Sequence, residues 1–465
     1  MKADAPGKAN PAQQEALSQN PTGLRIQPFP AVEISGLVFV RIAFGAILLW
    51  HLLELFRVGA IEALYSDQQF HFTYLGFGWV RPWPGIGMPL HFAALCVLAV
   101  CLLLGLFYRL STVLFFLGFG YVFLLDRSLY HNHYYLVLLL SGILALVPAH
   151  RSCSLDVLRR PELHSGVAPA WTIWLLRFQV GIVYFYSGLA KLEFDWLVRC
   201  QPVRLILARE TDFPMLGPLF REEWMVSLFA DGGLVFDLLI VPLLLWRRTR
   251  MFAFFVAVGF HLLNALLFDV GIFPWLMITL TTVFFDPSWP RRLGKMFRLP
   301  ADVLSPQQST ERRPLTTVLV SAYVALQLLV PLRHHLYPGH ASWSEEGHHF
   351  AWRLMHRFKE SRDVVFIATD PKSGRTWRVD SQQYQRSLTD AQLIKMSGHP
   401  DLILEFSHFL ADKFRQAGQS EIEIRALTLV ALNGREPKML IDPNVDLAAK
   451  QRSWRAKRWI LPLNY

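Results

Sequence analysis

The sequence predicts a polytopic α-helical membrane bundle of about nine spans with a small C-terminal α+β extramembrane domain. Three observations carry that prediction. Apolar residues make up 53% of the 465 and charged residues only 18%, with mean hydropathy +0.29, so most of the chain cannot be a water-facing globule. The 35 Phe and 15 Trp gather in long apolar runs, as expected where a bilayer is the solvent and aromatic residues mark its interfaces. From His334 onward the runs stop, charge becomes frequent and segments rich in β-branched residues begin. Disordered, collagen-like and coiled-coil classes are excluded by the same figures.

Residues 1–30 are polar and rich in Pro and Gln, without the short apolar core of a signal peptide, and are expected to form a disordered tail. The membrane domain is expected over 31–333. Its first run, Gly36–Leu55, has about 20 residues, enough at 1.5 Å per residue to span a hydrocarbon core about 30 Å thick. Eight more follow: Pro89–Tyr108, Thr112–Leu125, Tyr134–Val147, Trp171–Leu189, Gly232–Trp246, Met251–Phe268, Gly271–Phe285 and Pro314–Pro331. The third, fourth, sixth and eighth fall short of about 17 residues, so each borrows flanking aromatics or sits inside the bundle.

Charge sets the orientation. With nine spans, one side carries Arg109, Arg151, Arg159, Arg160, Arg247, Arg248 and Arg250, then a dense group with Arg291, Arg292, Lys295, Arg298, Arg312 and Arg313. On the other side are Arg57, Arg81 and Arg127, with a long connection whose Lys191, Arg199, Arg204, Arg209 and Arg221 are offset by six acids. The positive-inside rule makes the basic side and the N-terminus cytoplasmic, which places the C-terminal region in a lumen or periplasm. The net charge of +10 is therefore topological, and nucleic-acid binding is not expected. The four cysteines have neither metal-ligand nor redox spacing. Phosphate-binding Gly-rich loops, nucleophile elbows and zinc motifs are also absent.

In the C-terminal region, 334–465, strands are expected at Val364–Thr369, Thr376–Val379 and Ile422–Leu432, with a turn at Ser373-Gly374. Leu388–Met396 and Asp401–Gln416 have helical spacing, with Leu402, Leu404, Phe406, Phe409 and Leu410 as core positions. The basic and aromatic stretch Lys450–Arg458 is expected to lie along a protein or membrane surface.

Polar groups within spans are costly and so call for an explanation. His131 and His133, with Asn132 between them, lie between the third and fourth runs; the plain alternative is an interfacial turn with an aromatic belt. Lys191 ends the fifth run, among Tyr184, Tyr186, Phe194 and Trp196. It either snorkels to the headgroups or sits in a cavity, where desolvation disfavours its ammonium form and makes it a usable base. His261 and Asn264, three apart on one helix face, fall in the outer half of the seventh run. Together these groups point to an outward-opening polar pocket, with a structural hydrogen-bond network as the alternative. Arg41 is expected to snorkel, and Arg177 to face the bundle.

Several strings in order resemble one family: Val40-Arg41-Ile42-Ala43-Phe44-Gly45, Asn132-His133, Gly188 to Trp196, His261 with Asn264, Asp286-Pro287-Ser288-Trp289-Pro290-Arg291, Leu336-Tyr337-Pro338-Gly339, Ala351-Trp352-Arg353-Leu354-Met355 and Asn433-Gly434-Arg435. The chain resembles the vitamin K-dependent γ-glutamyl carboxylases, whose membrane part is the horizontally transferred transmembrane (HTTM) domain. That resemblance implies a membrane enzyme with a lumenal active site, using reduced vitamin K (phylloquinol or menaquinol), O2 and CO2, without metal. Deprotonated quinol reacts with O2 to give a strong base that takes the γ-proton of a protein glutamate; CO2 adds, and the quinone leaves as epoxide. By the resemblance Lys191 is the initiating base and His133 its support, with Asn132, His261 and Asn264 lining the quinone site. Partners are then the bilayer and a glutamate-containing protein or peptide. The animal enzymes have a much larger lumenal portion, which helps recognise propeptides, so a propeptide-bearing substrate is not expected to carry over. Epoxidation without carboxylation is the nearest alternative, and a non-catalytic scaffold or transporter the more distant one.

Overall fold

The structure is a computed structural model and describes residues 31–463 except 269, 297–313, 380–386 and 420. The expected tail and the basic positions Arg298, Arg312 and Arg313 lie outside those residues. Nine apolar helices occupy the nine predicted runs: α1 (Ser35–Arg57), α2 (Gly87–Leu104), α3 (Tyr108–Leu125), α4 (Asn132–Leu146), α5 (Ala170–Ala190), α6 (Glu223–Leu245), α7 (Arg250–Leu267), α8 (Phe273–Thr281) and α9 (Pro314–Leu329). Among the described residues seven are long and apolar enough to cross a bilayer, by length and composition; α4, and α8 with its tight extension to Phe284, are shorter. The third and sixth runs exceed their predicted length because the helix absorbs polar residues at its start. In α3 the Thr112 hydroxyl donates to the Tyr108 carbonyl at 2.6 Å, satisfying itself within the helix.

Helices α1 to α4 pack in succession, as do α5 to α8, and α8 returns against both α1 and α5. A two-stranded antiparallel ribbon, β1 (Ala31–Glu33) with β2 (Val167–Pro169), holds the starts of α1 and α5 side by side. Helix α5 is the most enclosed span, with 67% of its apolar window buried, so polar groups on it face protein on most sides. Gly45 permits the tightest crossing: a Cβ there would lie 2.7 Å from the Leu103 nitrogen and 2.8 Å from its Cα. Gly45→Ala must therefore part α1 from α2, and is expected to cost about 1–3 kcal/mol, read as a lower unfolding temperature in detergent. Gly232→Ala, whose added carbon meets nothing within 4 Å, is the neutral control.

Arg41 corrects the snorkelling expectation. It is fully buried and donates to the carbonyls of Ala149 at 3.1 Å and Cys153 at 2.5 Å, so backbone oxygens of the connection after α4 substitute for headgroups. Arg177 does face the bundle, with Nε donating to the Val283 carbonyl at 2.8 Å and Nη2 to that of Phe285 at 3.2 Å.

The C-terminal domain has an antiparallel sheet, ordered β4-β3-β5-β6, from β3 (Lys359–Thr369), β4 (Thr376–Arg378), β5 (Glu423–Leu432) and β6 (Lys438–Met439). Alternate β5 residues Ile424, Ala426, Thr428 and Val430 are buried. Helices α10 (Asp390–Ser397) and α11 (Pro400–Gln416) pack against the sheet through Met396, Leu402, Ile403, Phe406 and Leu410. Phe70 and Phe72, from the connection between α1 and α2, join this core, with the Phe70 ring 4.8 Å from that of Phe409. Polar links fix the same junction: Thr73 N donates to Glu405 Oε1 at 2.8 Å, and Gln392 Nε2 to Asp126 Oδ2 at 2.7 Å. The basic stretch near the C-terminus docks here on protein, with Arg452 Nη1 donating to Glu405 Oε1 at 2.7 Å.

Candidate active site

Helix α5 carries Tyr184, Ser187, Gly188 and Lys191 at spacings that place them on one face. Gly188 lets α6 come close: a Cβ there would fall 2.7 Å from Leu238 Cδ2 and 3.2 Å from Asp237 Cβ. That approach brings a carboxylate to the lysine. Lys191 Nζ donates to Asp237 Oδ2 at 2.6 Å and to Ser187 Oγ at 2.7 Å, and the Ser187 hydroxyl donates to the same Asp237 oxygen at 2.6 Å. Lys191 and Asp237 are each only 5% exposed, so the amine is buried in protein and does not snorkel. The Trp196 ring lies 5.0 Å from Nζ, and the Leu354 carbonyl caps the site at 3.4 Å.

The carboxylate corrects the expectation of an amine surrounded only by Tyr, Phe and Trp. Asp237, an acid inside the apolar run Leu234–Leu245, is not among the residues singled out by spacing, although an acid inside a span is itself a functional signal. Two turns before Lys191 on α5, Tyr184 shares a 2.6 Å hydrogen bond with His261 Nε2, and His261 is walled by Phe236, Phe260 and Phe273. Asn264 lies half-buried one turn beyond His261. Lys191 and His261 are thus drawn to neighbouring levels of one helix face.

Asn132 and His133 open α4 on another wall. His133 stacks on His131 with centroids 4.9 Å apart, meets Tyr134 edge-on at 4.5 Å, and lies 3.4 Å from where a Gly271 Cβ would be. No hydrogen bond joins His133 to Lys191; the lysine's nearest charged partner is Asp237. Beside the histidine pair a small apolar cleft is lined by Leu55, Ile61, Leu64, Tyr65, His131 and Tyr134.

The segment from Phe350 to Met355 spans the two walls. Phe350 N donates to Tyr130 Oη at 2.9 Å, and that hydroxyl donates to Asn132 Oδ1 at 2.9 Å. Trp352 is fully buried and stacks on Tyr135 of α4 at 4.9 Å, and Leu354 closes over Lys191. Phe350, Trp352 and Met355 all have left-handed backbones, at φ 61°, 53° and 53°, each costing about 1–3 kcal/mol. Such a loop persists only where its surroundings fix it. Arg353 does much of that fixing: it is 7% exposed, ion-pairs with Glu193 through Nη2, and donates through Nε to His356 Nε2 at 3.1 Å. His340 adds a second contact to Glu193 at 3.2 Å, and Ser342 Oγ meets His356 Nε2 at 2.6 Å. Several buried polar atoms in this region, among them Trp352 Nε1, His261 Nδ1 and His356 Nδ1, have no hydrogen-bond partner among the described residues.

Among the described residues no group of three or more His, Cys, Asp or Glu is arranged to hold a metal ion. Residues 29–289 match the HTTM domain, and residues 312–465 match the vitamin K-dependent gamma-carboxylase lumenal domain. The chain belongs to the vitamin K-dependent gamma-carboxylase family. No solved structure matches it. Within the carboxylase family the sheet domain is the lumenal domain, and its match begins ahead of α9. The loop over Lys191 therefore comes from the part of the chain that bears the carboxylase name, while the lysine comes from the HTTM part.

Glu193 gives this junction a pH signature. Burial alone would raise its carboxyl, but the His340 hydrogen bond and the Arg353 charge more than reverse that and hold it at about 2. A carboxyl depressed on folding adds stability above its unfolded pKa of about 4.3, and that stability is lost as pH falls through the folded value. Wild-type protein is expected to lose unfolding temperature between about pH 4 and pH 2 more steeply than Glu193→Gln, measured in detergent across that range.

Proposed function

We propose that this carboxylase-family protein oxygenates a reduced vitamin K-type quinol and couples that step to γ-carboxylation of a glutamate side chain. The observation that carries the proposal is the Lys191–Asp237 pair, buried beneath the Trp352–Leu354 loop at the junction of the two family domains. Oxygenation of the quinol supplies the strong base that glutamate γ-deprotonation requires.

The chain's own residues supply the rest. In the form of the pair whose shared proton rests on Asp237, Lys191 accepts the quinol proton; Asp237, 2.6 Å away, and Ser187 hold the amine in place throughout. His133, with Asn132, supports the developing oxyanion from the α4 wall, while Tyr184 with His261, and Asn264, line the quinol site. The buried Trp352 and Leu354 keep water from the reacting groups, which would otherwise quench a strong base. The apolar cleft beside His131 receives the isoprenoid tail. The N-terminus is cytoplasmic, following the distribution of Arg and Lys, and the active site is lumenal or periplasmic.

The test is turnover. Detergent-solubilised protein given reduced vitamin K, O2, labelled bicarbonate and a Glu-containing peptide is expected to form epoxide and to fix label in the peptide. Epoxide without fixed label would assign the half-reaction alone. Absence of both from folded protein would remove the enzyme reading.

A further inference from the structure

Near the C-terminus, Ser453 to Ala456 form a short tip whose two feet are pinned to the membrane bundle. At one foot, Arg452 Nη1 donates to Thr73 Oγ1 at 2.8 Å and to Glu405 Oε1 at 2.7 Å, and Nη2 donates to the Thr73 carbonyl at 2.5 Å. Thr73 belongs to the connection between α1 and α2. At the other foot, Lys457 Nζ lies 3.1 Å from Asp401 Oδ1, and Asp401 pairs in turn with Arg127, in the turn between α3 and α4, at 3.3 Å. Both feet therefore rest on connections that join spans at the end nearer the lumenal domain.

A third contact fixes the level of the tip. Helix α9 continues as a tighter turn, Val330–Leu336, and the whole run Pro314–Leu336 is apolar over 23 residues. At about 1.5 Å per residue such a run slightly exceeds a hydrocarbon core about 30 Å thick, so its last residues emerge among the headgroups. Leu336 is 83% exposed, and the next residue, Tyr337, donates through Oη to the Trp454 carbonyl at 2.9 Å.

The side chains of the tip suit that boundary. Trp454 is 69% exposed, and Arg455 and Ala456 beside it are exposed as well. Arg452 and Lys457 are neutralised by Glu405, Glu346 and Asp401, whereas among the described residues no carboxylate lies within ion-pair distance of Arg455. An indole, with its apolar body and one N–H, settles at the level of the headgroups. A guanidinium meets a phosphate with paired N–H groups. An acidic peptide would satisfy the charge of Arg455, but it gives no reason for an exposed indole at membrane height.

We infer that the Trp454-Arg455 tip docks into the headgroup layer of the adjacent leaflet, the indole among the lipids and the Arg455 guanidinium on the phosphate of an anionic phospholipid. The contact ties the lumenal domain to the bilayer at a point separate from its contacts with the bundle. It does not rest on the proposed quinol chemistry.

The test uses full-length protein in nanodiscs of phosphatidylcholine mixed with phosphatidylglycerol, with p-benzoylphenylalanine in place of Trp454 for photocrosslinking. Irradiation is expected to give a phospholipid adduct, identified by mass, at position 454. None is expected when the same group replaces Gln416, the exposed last residue of α11, at the end remote from Asp401. Phosphatidylglycerol is expected to be enriched in the adduct by about fivefold over its share of the disc, and Arg455→Glu to abolish that enrichment. Both positions are exposed, so the substituted proteins are expected to melt as wild type does. No lipid adduct at 454 in folded protein, or an equal adduct at 416, would overturn the inference. An adduct with no phosphatidylglycerol enrichment would overturn it too, because Arg455 would then select no anionic headgroup. Crosslinking at 454 to a second copy of the chain or to an added Glu-containing peptide, in place of lipid, would assign the tip to a protein partner and equally overturn it. None of these readouts requires epoxidation, so they stand or fall apart from the proposed activity.

Discussion

Lys191→Met is expected to lower quinol epoxidation by about 10²–10⁴-fold, the range a positioned general base contributes. The structure also shows why this result alone would mislead. Removing the amine leaves the Asp237 carboxylate buried, with only the Ser187 hydroxyl beside it, and breaking a buried pair from one side costs about 3–5 kcal/mol. Part of the lost activity would then be lost protein. The double variant Lys191→Met/Asp237→Asn removes both charges together, and is expected to recover most of the unfolding temperature and none of the turnover. Recovery of stability without activity separates the proton-transfer role of the lysine from its packing role.

The second large effect is expected at Arg353, which touches neither Lys191 nor the quinol site. Its guanidinium binds Glu193, His356 and, at 3.3 Å, His334, and so pins a loop containing three left-handed non-glycine residues. Arg353→Met frees that loop to relax and withdraws Trp352 and Leu354 from over the amine. Epoxidation is expected to fall by about 10²-fold, comparable to the cost of an ångström-scale misplacement. Limited proteolysis should show new cleavage between 350 and 356. Arg353→Lys is not expected to rescue, because one ammonium cannot reproduce a planar fork shared among several acceptors. Loss of activity with no change in proteolysis would indicate that Arg353 acts on substrate directly.

The bundle was legible in the sequence because bilayer thickness forces apolar runs of nearly fixed length, and every predicted run became a helix. The α+β domain was legible for a related reason: period-two burial along Ile424, Ala426, Thr428 and Val430, and the helical stripe through Leu402, Phe406 and Leu410, each have one dry face. Lys191, His261, Asn132 and His133 stood out as polar groups in apolar surroundings. Their partners were less visible. Asp237 comes from a different helix, and only the glycine gap at Gly188 brings it to the lysine, a distance that one-dimensional spacing does not encode. Arg41 read as a snorkelling residue because its acceptors, the Ala149 and Cys153 carbonyls, are backbone atoms on a distant connection. The capping loop stands out in the sequence only as the resembling string Ala351-Trp352-Arg353-Leu354-Met355. Its meaning lies in the left-handed angles at Phe350, Trp352 and Met355, which depend on tertiary contacts.

The account rests on Lys191 giving and taking a proton beneath that loop, and Lys191→Arg examines this most directly. Arginine keeps a cation beside Asp237 but does not deprotonate in proteins. With wild-type and variant protein matched for unfolding temperature, epoxide formation from reduced vitamin K is expected in the first and undetectable in the second. Equal epoxide yields from both would mean that only the charge matters at this position, and would contradict the assignment of Lys191 as the base.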